Sequence, residues 1–201
     1  MSPLLTIRST AARVGAFAWL VFAALNLVDL AARGDDLTAV VMAVLLLFGC
    51  GLAYVLGLRP AIIGDEAGLT VRNPLRDVRA SWRAVKAVEG RTAVTVRFAD
   101  AAGGDLTVRA WVLQTSPRAQ AKAERRAERD ARHAPNAAAV KAVKGRTPTM
   151  YVAKQLNDLA EAHRSKSQDK TGSITWSIPA IAVLAVPLAA LVALGIYGAI
   201  S

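Results

Sequence analysis

Two polar side chains stand inside an otherwise apolar run. Asn26 and Asp29 lie three residues apart within residues 14–32, so on a helix they share a face. A carboxylate in such a segment raises the prospect of a proton or ion site. The plainer reading puts Asp29, one turn from the end of the run, at a water interface and has Asn26 bond to a neighbouring helix. The other two apolar runs hold no second acid and no basic partner. Ion transport through this pair would therefore need several copies of the chain.

Cations offer a second chemistry. Arg72, Arg76, Arg79 and Arg83 crowd one short stretch. Arg118, Lys122, Arg125, Arg126, Arg129, Arg132, Lys141, Lys144 and Arg146 follow, opposed only by Glu124, Glu128 and Asp130. Arginine forks suit phosphate and carboxylate, and near an anionic leaflet each basic residue adds about 1 kcal/mol of attraction. The expected partners are anionic lipid headgroups or an unidentified protein, weighed against a merely solvated face. Nucleic acid is not expected, because no aromatic residue interleaves the charges of residues 118–146 for base stacking.

Catalytic patterns are missing. His133 and His163 stand far apart with no Cys or acid at ligand spacing. Lys144-Gly145-Arg146-Thr147 lacks the earlier glycine of a phosphate loop, and no nucleophile elbow, zinc-protease motif or carboxylate pair occurs. The single cysteine, Cys50, excludes an intrachain disulfide and reads as a small packing residue in an apolar run. No metal, cofactor or enzymatic activity is expected.

These groups must be held by two kinds of element. The chain has 201 residues, 54% of them hydrophobic, and a mean hydropathy of +0.34. The excess lies in residues 14–32, 37–58 and 178–200, each near the roughly 20 residues that cross a bilayer as a helix. Residues 14–32 exceed the core of a signal peptide, and Arg33-Gly34-Asp35-Asp36 is a poor cleavage site, so cleavage is not expected. That four-residue turn makes the first two spans an antiparallel hairpin. Small residues of the second span (Gly49, Gly51, Ala53, Gly57) and of the third (Gly195, Gly198) suit close helix packing, or a dimer face. Pro187 should kink the third span.

Charge sets the orientation. The formal net charge is +10 and the isoelectric point about 10.5. Of the 25 Lys and Arg, only Arg8, Arg13 and Arg33 lie outside residues 59–176; of the 15 Asp and Glu, only Asp29, Asp35 and Asp36 do. The positive-inside rule then puts the N-terminus and residues 59–177 in the cytoplasm, and the C-terminus outside a bacterial plasma membrane. Heavy use of Ala and Arg suits a high-GC bacterium.

Between the second and third spans the period changes to two. Short alternating runs at 61–63, 68–72, 78–82, 85–88, 93–98 and 106–112 predict six strands, with turns at Asn73-Pro74-Leu75-Arg76 and around Gly103-Gly104. Trp82 and Trp111 are the expected large core residues. Residues 117–133 have no apolar stripe, so they form a solvated helix or a disordered arm. Residues 148–164 begin with Thr147 as a cap and Pro148 at the first helical position. Tyr151, Val152, Leu156, Leu159 and Ala160 then recur on one face, which should cover the sheet. The domains read as 1–58, 59–113, an arm at 114–147, a covering helix at 148–166, a linker at 167–177 and the last span at 178–200.

A hairpin of spans, then Arg59-Pro60, then Gly68-Leu69-Thr70-Val71-Arg72-Asn73-Pro74-Leu75-Arg76, then Ser81-Trp82, resembles the bacterial pleckstrin-homology-like (PH-like) domain family of small actinobacterial membrane proteins. Gly68, Leu69, Arg72, Asn73, Pro74, Leu75, Arg76 and Trp82 carry the likeness, which covers residues 59–113 and the helix at 148–164. It implies a strongly bent antiparallel sheet or barrel capped by a C-terminal helix. It brings no catalytic residues, and phosphoinositide binding does not follow from fold alone. The arm at 114–147 departs from the family's compact pattern.

The fold class expected is thus three transmembrane helices plus a cytoplasmic α+β PH-like domain. The function expected is a non-enzymatic membrane protein whose module contacts a protein or the leaflet, with a homo-oligomer among the expected assemblies. The alternative is a small oligomeric transport or channel subunit using Asn26 and Asp29.

Overall fold

The computed structural model describes residues 3–114, 118, 121, 125, 147–167 and 169–200. They divide into two compact units, one of strands with a helix and one of long helices.

The helical unit follows from the apolar runs. Helix α1 spans Thr10–Arg33, and the Ser9 side chain caps it by accepting from the Ala12 amide. Helix α2 spans Leu37–Leu52 and is capped by Asp36, which accepts from the Ala39 amide at 2.9 Å. The turn acid Asp36 thus serves the start of the second helix. It continues as a π-helical stretch, Ala53–Leu58, closed by the Arg59 amide donating to the Tyr54 carbonyl. All three long helices, including the last at Ile178–Ile200, are long and apolar enough to cross a membrane. The last one runs through Pro187 without interruption. The small residues of the second span lie against neighbouring helices. A Cβ at Gly49 would overlap the Trp19 ring, one at Gly51 the Val183 backbone, and one at Gly57 the Ala16 side chain.

Among the described residues the other unit contains eight strands where the alternation predicts six. In order they are β1 (Leu5–Ile7), β2 (Ala61–Gly64), β3 (Gly68–Arg72), β4 (Arg76–Ser81), β5 (Val85–Gly90), β6 (Ala93–Ala99) and β7 (Asp105–Gln114). Helix α3 (Pro148–His163) and β8 (Gly172–Trp176) follow, and the last span is α4 (Ile178–Ile200). The strands form a five-stranded sheet, β1-β2-β3-β4-β8, and a three-stranded sheet, β5-β6-β7. The strands of the expected sheet domain thus fall into two sheets. Two corrections concern the expected domain bounds. Residues before the first span supply β1, which pairs antiparallel with β2 through Leu5–Gly64 and Ile7–Ile62. The expected linker at 167–177 contains β8.

Alternation fixes the core. Ile62, Leu69, Val71, Val78, Ala80, Val94, Val96 and Phe98 turn inward and are buried. Helix α3 adds Val152, Ala153, Leu156 and Ala160. Its Thr147 cap accepts from the Met150 amide, with Pro148 in the first turn. Burying Leu156 fully contributes roughly 1.5–3 kcal/mol. Trp82 is fully buried, in the turn after β4. Trp111 is not in the core: it is 49% exposed. Its neighbours Ala110 and Val112 are buried and so take the inward parity of β7.

Candidate functional site

The residues that carry the family likeness do structural work. Asp65 accepts from the amides of Ala67 and Gly68 and tightens the β2–β3 turn. Gly68 passes so near the Ala80 carbonyl that a Cβ would collide with it. The buried Trp82 indole donates to the Asp65 carbonyl at 2.7 Å, which removes the cost of an unpaired N–H in the core. Asn73 reaches across to the other sheet. Its Nδ2 donates to the Arg109 carbonyl at 3.0 Å, and its Oδ1 accepts from the Trp111 amide at 2.8 Å. Asn157 of α3 does the same to β5, accepting from the Val88 amide and donating to the Val88 carbonyl. Both outer strands of the three-stranded sheet are thus engaged by an asparagine amide, which supplies the donor and acceptor that a further strand would offer.

The four hairpin arginines sit on different elements. Arg72 and Arg79 are exposed on the outer face of β3 and β4. Register sets Arg72 opposite Asp77 and Arg79 opposite Thr70, so Arg72 faces a carboxylate across the strands. Arg83 lies exposed in the turn beyond the far end of β4. Arg76 belongs to the helical unit, where its guanidinium carbon sits 4.0 Å from the centre of the Trp176 ring. Of the arm, Arg125 is helical and exposed. Arg126, Arg129 and Arg132 lie outside the described residues, as does His133.

A different surface brings cations and an aromatic together. On the three-stranded sheet, Arg97 pairs with Thr107 and Arg109 with Thr95. Trp111 follows Arg109 by two residues and shares its face. Arg97, Arg109 and Trp111 are all exposed. The signal was in the parity of residues 106–112, where Trp111 alternates with Thr107 and Arg109 and not with Leu106, Val108 and Ala110. Near the edge of this sheet, Lys86 and Asp105 form an ion pair. Elsewhere in the unit, a cleft of about 450 Å³ is lined by Arg79, Ser81, Asp169, Thr171 and Ser173 among others. The Ser81 hydroxyl there donates to the Asp169 carbonyl at 2.6 Å.

Within the spans, Asn26 and Asp29 each bond within their own helix. Asn26 Nδ2 donates to the Phe22 carbonyl at 2.8 Å, and Asp29 pairs with Arg33 at 3.2 Å. The partner of Asp29 is thus one turn along the same helix, at its end. Among the described residues no group of three or more His, Cys, Asp or Glu could hold a metal ion.

No curated protein and no solved structure matches the chain. Residues 59–130 do match the family model of the bacterial PH domain. That segment holds the Asp65 turn, Trp82 and strands β2 to β7. The chain thus carries a bacterial PH-like segment at residues 59–130, together with three helices long and apolar enough to cross a membrane.

Proposed function

We propose that this is a non-enzymatic bacterial plasma-membrane protein whose PH-like module docks an acidic surface of a partner protein. The observation that carries the reading is the exposed face of Arg97, Arg109 and Trp111. Arginine and tryptophan are the residue types that anchor interfaces, because a large ring and a planar fork bind much area with little loss of freedom. The net charge of +10 favours an acidic partner and speeds its approach. The non-enzymatic part rests on the motif residues of the domain, which are engaged in turns, core and clamp.

The module and the N-terminus face the cytoplasm in this proposal. Pairing of β1 with β2 requires residues on either side of the first two helices to share one side of the bilayer. The surplus of Lys and Arg over Asp and Glu in residues 59–176 makes that side the inner one.

The test is co-purification of the intact tagged chain in mild detergent beside the double variant Trp111→Ser/Arg109→Glu. A stoichiometric partner that salt weakens and the variant loses is the expected result. Self-association alone, equal in both proteins, would sink the proposal. Deleting residues 117–146 in a third sample reports whether the arm shares the docking.

A further inference from the structure

Three segments of the helical unit meet where two spans end. Arg59 is the first residue after the second span, and its Nη1 donates to the Pro74 carbonyl at 3.2 Å. The Leu75 carbonyl accepts from the Ser177 amide at 2.9 Å, one residue before α4 begins. Arg76 stacks on Trp176, which is 58% exposed. Arg59 and Trp176 thus lie within two residues of the ends of two spans, and Arg76 is brought to the same place by its stacking on Trp176. Side chains at that chain position sit at headgroup depth, where tryptophan and arginine are both favoured.

The stacking has a chemical consequence. A guanidinium lying flat on an indole gives its face to the ring and keeps its N–H donors pointing outward in the plane. That rim matches two oxygens of a phosphate. The backbone contacts of Pro74 and Leu75 hold the turn that carries Arg76, so the fork is positioned before a ligand arrives.

We propose that Arg59, Arg76 and Trp176 bind a phosphodiester anion, the headgroup of an anionic glycerophospholipid in the leaflet where the second span ends and the third begins. The site rests on the helices crossing a bilayer and is independent of the partner protein proposed above.

The experiment places the full chain in nanodiscs of phosphatidylcholine with a minor share of phosphatidylglycerol. Native mass spectrometry then counts the lipids retained on release. The wild type should enrich phosphatidylglycerol, by about fivefold for each arginine engaged. Arg76→Gln should lose about fivefold, Trp176→Leu should lose a similar amount, and Lys154→Gln on α3 should lose nothing. Millimolar inorganic phosphate should leave the bound lipid in place. Equal retention of the two lipids by the wild type overturns the site, a result readable even if a variant fails to fold. Unchanged enrichment in a folded Arg76→Gln overturns it too. Displacement by inorganic phosphate would make it a plain anion site and overturn the lipid assignment. Since none of these variants touches Arg97, Arg109 or Trp111, loss here and loss of the partner protein are separate results.

Discussion

Replacing Asn73 by alanine removes the amide that ties the first hairpin to β7. Two bonds go together, from Nδ2 to the Arg109 carbonyl at 3.0 Å and from the Trp111 amide to Oδ1 at 2.8 Å. One backbone group is a donor and the other an acceptor, so only one orientation of the amide satisfies both. Each such bond contributes about 0.5–1.5 kcal/mol net. The site is only half-buried, and water takes up part of the loss, which leaves about 1–2 kcal/mol. Amide hydrogen exchange of the full chain in detergent reads this directly. The Trp111 amide should exchange about tenfold faster in Asn73→Ala, since 1.4 kcal/mol is a factor of ten. Asn73→Asp keeps an acceptor for the Trp111 amide but loses the donor to Arg109, so Trp111 should stay protected while stability falls. The Val88 amide, held by Asn157, is the internal reference. If Trp111 exchanges equally in Asn73→Ala and wild type, the clamp contributes nothing. If Val88 accelerates equally, the domain has opened as a whole and the effect is not local.

Other substitutions probe separate contacts. Trp82→Phe deletes the bond to the Asp65 carbonyl and part of a fully buried ring; a loss of about 2–4 kcal/mol should appear in chemical denaturation. Gly172→Val drives a side chain into Phe98 and Ala80, so thermal unfolding should show a cost of about 1–3 kcal/mol or more. Asp29→Asn breaks an exposed pair within one helix; abundance and phenotype should match the wild type, and a lost ion flux would instead restore the transport alternative.

The alternation of residues 61–112 made β2 to β7 legible, because each inward position is apolar and each strand has a local partner. Strands β1 and β8 were not legible. Leu5-Thr6-Ile7 is too short to show a period, and its partner lies beyond two helices. Gly172 to Trp176 reads as polar linker because β8 buries only its first residue. The surroundings of the arginines were not legible for a related reason. Spacing put Arg72, Arg76, Arg79 and Arg83 close in sequence, but the parity of a strand and the turns at its ends send them to different surroundings. Asn73 was visible only as a turn residue, since its hydrogen-bond partners lie on β7.

The place of β1 bears on how the protein is made. Its three residues leave the ribosome ahead of both helices, yet they cannot pair until β2 has emerged behind them. Completion of the five-stranded sheet therefore requires that the helical hairpin return the chain to the side on which β1 waits. A chain whose two helices failed to form that hairpin would leave the edge of β2 bare, and an uncovered edge invites aggregation or proteolysis. The same holds for a soluble fragment cut at residue 59: it would begin without the strand that covers Ala61–Gly64. The membrane segment is in this sense a checkpoint in the assembly of the water-facing fold.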